Sequence, residues 1–186
     1  GQLPAAQREY AAVDKASIVW GEAHLALARV RRGRRDLGGA LAAVKPLAER
    51  PSSSAGRDLQ AEALVFMAEL AHQSGDREAA KAADLKLWTL HPLARISDAA
   101  LADAQRLGLK EPSNAQKLQR AEVLLDSNRN PAALALLQPL LSVWKLPAAT
   151  ACQVHFLYGK ALRKQRRHTE ALAALAPVIT ACTADP

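Results

Sequence analysis

The sequence is poor in the residues that build β-sheets. Aromatic residues make up only 4% of the 186 positions, and Val, Ile and Thr together supply 17. Because β-branched and aromatic side chains pack a pleated surface, this shortage excludes a mostly-β protein. Ala and Leu, with 41 and 29 occurrences, fill 70 positions, and both favour helices. The composition therefore predicts an all-α fold.

Long apolar runs are also missing. The longest runs are about half a dozen residues, whereas a helix that spans a bilayer needs about 20. No basic start followed by an apolar segment marks a signal peptide. We therefore expect no transmembrane segment.

Motifs that carry chemistry are absent as well. The sequence has no glycine-rich phosphate loop, and its five histidines form neither an HExxH motif nor an i, i+4 pair. Two carboxylate pairs, Glu62 with Glu69 and Glu122 with Asp126, share helical faces, but such pairs more often only solvate a helix. We expect no metal, no cofactor and no catalytic site, and thus no enzyme activity in this chain.

The net charge of +7 comes from two short basic clusters. The clusters consist of Arg29, Arg31, Arg32, Arg34 and Arg35, and of Arg163, Lys164, Arg166 and Arg167. Without these nine cations, 16 positive charges face 18 negative ones. Two interpretations stay open for the turns at Arg32, Arg34, Arg35, Arg166 and Arg167: they are solvated, or they bind a polyanion. Nucleic acid is disfavoured because no aromatic residues interleave with the cations.

Three segments of the chain nearly coincide. They are ALAAVKPL at 40–47, ALALLQPL at 133–140 and ALAALAPV at 171–178. The last two lie 38 residues apart, and at the same offset Ala121 aligns with Gly159 and Asn128 with Arg166. Such self-similarity is typical of a repeat architecture.

A fourth segment shows the skeleton of the repeat. Ala68, Gly75, Ala80 and Pro92 follow one another at intervals of seven, five and twelve residues. This spacing is typical of a helix–turn–helix unit of the tetratricopeptide type, with small residues where the helices approach closely. The units are predicted at 19–51, 61–92, 114–147 and 152–184, and the turn of the first is predicted to be two residues longer than the others. Three prolines, Pro46, Pro139 and Pro177, fall inside second helices.

The remaining residues complete the architecture. We predict a linking helix over 97–108 with Ser97 as its N-cap and Gly108 as its stop, and a capping box from Ser113 to Gln116. Residues 51–57 are predicted to be a polar loop and residues 5–17 a further helix. Residues 1–186 are thus predicted to form one α-solenoid domain of about ten helices.

Two stretches resemble a known family. LWTLHPLARISDAALADAQRLG and EPSNAQKLQRAEVLLDSNRNPAALALL are similar to the helical superhelix of bacterial soluble lytic transglycosylases. The resemblance covers about residues 60–186 and implies a periplasmic, peptidoglycan-cleaving protein whose lysozyme-like catalytic domain lies outside this chain. The family's catalytic Glu precedes Ser, and none of the nine Glu residues here does. No catalytic residue carries over.

A binding groove is the better functional candidate. In tetratricopeptide repeats the concave face uses positions 2, 5, 9, 12 and 13 of the first helix. Of the residues at these positions, the predicted groove contacts are Trp20, Arg31, Glu62, Glu69, His72, Glu122, Asp126, Gln153, Phe156, Lys160 and Arg163. The Lys/Asn carboxylate clamp of chaperone-binding relatives is absent. The alternative is that these residues form only ordinary polar and apolar patches.

Two functions remain open. The first is a non-catalytic scaffold of a periplasmic lytic transglycosylase or similar envelope protein, with peptidoglycan or another envelope polyanion as a ligand. The second is a free-standing tetratricopeptide adaptor that binds protein partners in a motility, secretion or assembly complex. A helical repeat associated with RNA is a weaker third.

The last repeat ends in an apolar flank. Because Leu172, Leu175 and Ile179 form this flank, we expect further chain or a partner to cover it.

The two cysteines are predicted to form a disulfide. Cys152 and Cys182 fall at the start of the first helix and the end of the second helix of one repeat. An antiparallel pair of helices brings these ends together, so a bridge is geometrically reasonable. Disulfides persist in the periplasm rather than in the cytosol, and a bridge would support an envelope location. The alternative is two unpaired, small apolar side chains.

Overall fold

The computed structural model describes residues 3–50, 57–143 and 146–182, and all secondary structure in this part of the chain is helical. The ten helices there are α1 (Leu3–Ala11), α2 (Trp20–Gly33), α3 (Leu37–Ala48), α4 (Arg57–Ser74), α5 (Arg77–Leu90), α6 (Ser97–Arg106), α7 (Asn114–Asp126), α8 (Asn130–Leu141), α9 (Ala148–Lys164) and α10 (His168–Ala181). The predicted all-α class is therefore confirmed. Over the described ranges, no helix combines the length and apolarity needed to cross a membrane.

The chain divides into two compact units, Gly1–Lys110 and Glu111–Pro186. In the first unit each helix from α1 to α6 packs on the next, and α2 also contacts α4. In the second unit α7, α8, α9 and α10 pack in the same consecutive way, and α7 also contacts α9. The single solenoid domain over residues 1–186 stays a prediction.

Each unit has its own apolar core of Leu and Ala. In the first unit, Leu25, Leu47 and Leu64 are at most 2% exposed. In the second unit, Leu125 and Leu137 are fully buried in the core. Since alanine occupies the closest approaches, the helices pack with little side-chain volume between them.

Four helix pairs share one skeleton, centred on a turn residue with positive φ. The four turn residues are Arg35, Gly75, Asn128 and Arg166, with φ between 57° and 74°. Seven residues earlier each pair has a buried small residue on its first helix: Ala28, Ala68, Ala121 and Gly159. Five residues later each has a buried alanine on its second helix: Ala40, Ala80, Ala133 and Ala171. The seven- and five-residue intervals predicted from Ala68, Gly75 and Ala80 therefore hold in all four pairs, whereas the twelve-residue interval to Pro92 has no counterpart in the other three sequences.

The first pair corrects one prediction. Its connection runs from Gly33 to Leu37, no longer than the connections of the pairs formed by α7 with α8 and by α9 with α10. The extra length predicted for this turn is wrong, because α2 continues to Gly33 before the chain turns at Arg35. The register predicted for α2 was consequently displaced by two residues.

Several helix ends follow from local sequence. Asp36 and Asp76 accept hydrogen bonds from the backbone N–H groups of Gly39 and Ala79, which caps α3 and α5. The predicted capping box between Ser113 and Gln116 is present at the start of α7. Gly108, with a φ of 102°, lies just past α6 as predicted.

Other predicted boundaries need correction. Ser97 does not cap the linking helix, because Ile96 is the N-cap residue and Ser97 is already helical and 1% exposed. The first helix ends at Ala11 rather than extending to residue 17. Of the predicted loop 51–57, residues 51–56 lie outside the described residues and Arg57 begins α4.

Candidate binding surfaces

Neighbouring first helices are joined side to side by polar pairs in a repeated register. In the first unit, Arg29 of α2 bonds Glu62 of α4 at 3.1 Å. In the second unit, Gln153 of α9 donates to Glu122 of α7 at 3.0 Å. In each pair, the residue on the earlier helix lies six residues before its own turn residue, as Arg29 lies before Arg35 and Glu122 before Asn128. The residue on the later helix lies thirteen residues before its turn residue, as Glu62 lies before Gly75 and Gln153 before Arg166. The polar surfaces that these helices form are called the A face of the first unit (Arg29, Arg32, Glu62, Glu69, His72) and of the second (Glu122, Asp126, Gln153, Phe156, Lys160).

Three more of the predicted groove charges, Glu69, Asp126 and Lys160, are paired across the A faces. Arg32 bonds Glu69 at 2.5 Å and lies 4.4 Å from the centre of the Phe66 ring. Lys160 lies 3.8 Å from Asp126. In these pairs a carboxylate of one helix is matched by a cation of the neighbouring helix, and exposed ion pairs of this kind contribute little stability.

Two predicted groove residues do not line a groove. Trp20 is only 4% exposed and is sandwiched between the Arg50 guanidinium and the His24 ring, each about 4.2 Å away. Arg31 is half-buried and points toward α3, where it donates to the carbonyl of Gly39 at 2.9 Å. Both assignments are wrong for one reason, the two-residue displacement of the register in α2. The corrected register places Arg29 and Arg32 on the A face instead.

The A face of the second unit carries an exposed aromatic side chain. Phe156 is 51% exposed, although its neighbours Val154 and Leu157 are buried. Gln153 and Arg163 are also exposed on α9. Aromatic side chains surrounded by polar ones are typical of interaction surfaces, where they supply contact area at small entropic cost.

A cavity of about 250 Å³ opens between α4, α5 and α6 in the first unit. Two of its lining residues, Glu69 and His72, are predicted groove contacts. The others are Val65, Ala68, Asp84, Leu87, Ile96, Ala99, Ala100 and Asp103. Helix α6, which follows the helix pair α4 and α5, thus forms the third wall of a cavity beside Glu69 and His72 of the A face.

Asp84 is the buried acid of this cavity, and sequence analysis missed it. Its side chain is 7% exposed, and its Oδ2 atom is buried and accepts no hydrogen bond from any described residue. His72 Nε2 is 3.8 Å from Oδ2, which is too long for a hydrogen bond. Burial, together with the nearby Asp103, raises the pKa of Asp84 to about 6, although His72 and Arg106 act in the opposite direction.

A sequence signal for Asp84 existed. It lies four residues after Ala80 and three before Leu87, on the helical stripe that α5 buries. A carboxylate inside such a stripe is unusual, because a buried charge is costly unless it is paired. The spacing of small residues that predicts the repeats carries no information about a carboxylate within the buried stripe.

The basic turns are largely engaged within the protein. Arg34 donates to Gln7 at 2.5 Å, and Arg167 forms two hydrogen bonds with Glu170. Lys164 donates to the carbonyl of Leu125 at 2.5 Å. Arg35 and Arg166 are exposed turn residues with a φ of 62°. This arrangement favours the solvated-turn interpretation.

The predicted cysteine pair is joined by a disulfide. Cys152 at the start of α9 and Cys182 just past the end of α10 have Cα atoms 5.9 Å apart. The geometry lies within the range that disulfides require. This bond links the start of α9 to the end of α10, the ends of this helix pair that the turn between them does not connect.

The apolar flank of α10 is uncovered by any described part of the chain. Leu172 is 72% exposed and Ile179 is 69% exposed, whereas Leu175 is half-buried against Gly159.

Among the described residues, no group of three His, Cys, Asp or Glu side chains could hold a metal ion. Comparisons with protein-family models, curated proteins and solved structures find no match for this chain.

Proposed function

We propose that this chain is a non-catalytic, tetratricopeptide-type scaffold whose A faces bind a protein partner. The observation that carries the proposal is the repeated register, in which four helix pairs use the same small residues and neighbouring first helices are linked at equivalent positions. Repeats arranged in this way form extended surfaces that suit extended ligands. Phe156, 51% exposed, is the anchor proposed for the second unit.

We also propose an envelope location. The disulfide between Cys152 and Cys182 is compatible with an oxidising compartment, and bacterial periplasm is one such compartment. The resemblance of residues 60–186 to the superhelix of soluble lytic transglycosylases agrees with this location. In this proposal the chain positions a peptidoglycan-cleaving domain or its partners and performs no cleavage itself.

The partner-binding part of the proposal is tested with a matched pair of variants. Phe156→Ser removes the exposed aromatic from the A face, and Leu93→Ser removes an apolar side chain of similar exposure, 53%, that lies outside both A faces. The immobilised protein is incubated with periplasmic extract, and retained proteins are quantified by mass spectrometry. We expect a retained protein that Phe156→Ser loses at least fivefold and Leu93→Ser keeps. Equal retention by both variants would overturn the role of the A face.

The free-standing adaptor is the second candidate, favoured by the exposed aromatic side chain of Phe156, which suits a protein surface. Purified peptidoglycan sacculi distinguish it from the transglycosylase scaffold. A scaffold of a peptidoglycan-cleaving protein sediments with sacculi, whereas an adaptor stays in the supernatant and is retained only by its protein partner. Release of soluble glycan fragments by this chain would contradict the non-catalytic assignment.

A further inference from the structure

The cavity between α4, α5 and α6 combines one buried acid with apolar walls. Asp84 lies at 7% side-chain exposure, and Val65, Leu87, Ile96 and Ala100 supply apolar surface around it. A carboxylate oxygen that is buried without a hydrogen bond is unfavourable, so a group that supplies a proton donor and a positive charge is stabilised there.

Among the described residues, Asp84 is the acid of this cavity that is paired with no Lys or Arg. Glu69 is bonded to Arg32 at 2.5 Å, and Asp103 is bonded to Arg106. His72 lies 3.8 Å from Asp84 on the exposed side, with 47% of its side chain accessible. The described residues that line the cavity include no Lys and no Arg. The site is therefore suited to a ligand that brings one positive charge.

The size of the cavity limits what can enter. Pockets that hold whole drug-sized ligands measure roughly 300–1,000 Å³, and this one measures about 250 Å³. A single long side chain fits such a space better than a complete ligand. Lys and Arg side chains bury an aliphatic stem along apolar surface and place the charge at its tip.

We propose that this cavity binds the side chain of a lysine or arginine residue of a partner protein, with the Asp84 carboxylate as the counter-ion. The inference rests on the proposed function, because it takes the ligand to be part of a protein partner. The apolar walls hold the methylene groups, and the ammonium or guanidinium group donates to the Asp84 carboxylate.

The experiment uses capped lysine (acetyl-lysine N-methylamide) and capped norleucine as probes, titrated into ¹⁵N-labelled protein at neutral pH. We expect capped lysine to shift the backbone amide signals of residues around Asp84 and Ala100 and to bind at least tenfold more tightly than norleucine. Asp84→Asn should weaken lysine binding at least tenfold. Glu78→Gln, which changes an exposed acid of α5 that is paired with Lys81, should leave it unchanged.

A second variant keeps the test independent of the buried acid. Ala99 is exposed and lines the cavity, so Ala99→Leu narrows the opening without entering the core. We expect it to weaken capped lysine binding as well. Equal binding of norleucine and lysine, or unchanged binding to Asp84→Asn, would overturn the proposal. Binding of free n-butylamine without binding of capped lysine would overturn the assignment to a protein side chain.

The outcomes separate this inference from the function on which it rests. If partner capture depends on Phe156 while capped lysine does not bind, only the cavity proposal fails. If capped lysine binds through Asp84 while no partner depends on Phe156, the scaffold proposal fails and the cation site stands.

Discussion

Gly159 of α9 and Leu175 of α10 approach so closely that a β-carbon on Gly159 would lie 2.5 Å from Leu175 Cγ. Real β-carbons do not reach this distance, so a side chain at Gly159 requires Leu175 to shift or α9 and α10 to move apart. The glycine occupies the position where the other helix pairs have alanine. The close packing of α9 against α10 therefore depends on Gly159 having no side chain.

Gly159→Ala should destabilise the second unit by about 1–3 kcal/mol, since overpacking outweighs the better helix propensity of alanine. The measurement is the free energy of unfolding in urea. In a Leu175→Ala background, the same substitution should be neutral or stabilising, because the clash has been removed. Gly38→Ala is the control, since a β-carbon there meets nothing within 4 Å. Equal effects of Gly159→Ala in both backgrounds would show that the close approach does not matter.

Asp84 should make the stability of the first unit depend on pH. Its pKa is raised to about 6 in the folded protein, from 3.8 for an unperturbed carboxyl. Between these values the folded state holds the proton more often than the unfolded state, so the free energy of unfolding falls as pH rises from about 4 to 6. Asp84→Asn should remove this slope and raise stability at pH 7.5. Urea titrations at several pH values measure it, and Gln73→Ala, an exposed neutral site on α4, should keep the slope.

The disulfide should stabilise the last helix pair by roughly 3–4 kcal/mol in the chain-entropy estimate, since it closes a loop with a sequence separation of 30. Cys152→Ser combined with Cys182→Ser should lower hydrogen-exchange protection in α9 and α10 while leaving α2 to α5 unchanged. Reductant should have the same effect on the unsubstituted protein and none on the double variant. Two free thiols after aerobic purification would contradict the bond and remove its support for an envelope location.

Gln60 should be the most sensitive polar residue of the first unit. Its fully buried amide donates to the carbonyl of Ala48 at 3.1 Å and also to that of Arg50, and it lies 3.1 Å from His91. These bonds satisfy carbonyls at the end of α3, which has no further helical turn to supply donors. Gln60→Leu should reduce stability by about 2–4 kcal/mol, because it leaves buried polar groups without a partner. A loss no larger than that of the exposed Gln73→Ala would refute this role.

Two histidines support helices that contain proline, a relation that the sequence did not reveal. His24 Nδ1 donates to the carbonyl of Ala43 at 2.9 Å, and His155 Nδ1 donates to that of Ala174 at 3.2 Å. Both carbonyls lie three residues before a proline inside the helix, in α3 and α10. Since proline removes a donor from the helical ladder, an imidazole from the neighbouring helix adds one beside the break.

Much of the fold followed from the spacing of small residues. Alanine or glycine must occupy each close crossing of two helices, and a turn must follow at a fixed distance, so helix pairs could be located from Ala68, Gly75 and Ala80 alone. The disulfide followed in the same way, because the two ends of a helix pair meet. The error at Trp20 and Arg31 arose where α2 continues through Gly33, since a glycine near a helix end does not reveal whether the helix stops before or after it.

The sequence by itself determined the helical class, the four pairs and the cysteine pairing, because these depend on local propensity and on contacts between neighbours in the chain. Only the tertiary structure decided which polar residues pair across the A faces and that Asp84 is buried beside α6. The first feature depends on contacts between first helices that lie far apart in the chain, and the second depends on α6, which lies outside the repeat. The pKa of the Asp84 carboxylate depends on the residues packed around it, and these belong to three different helices.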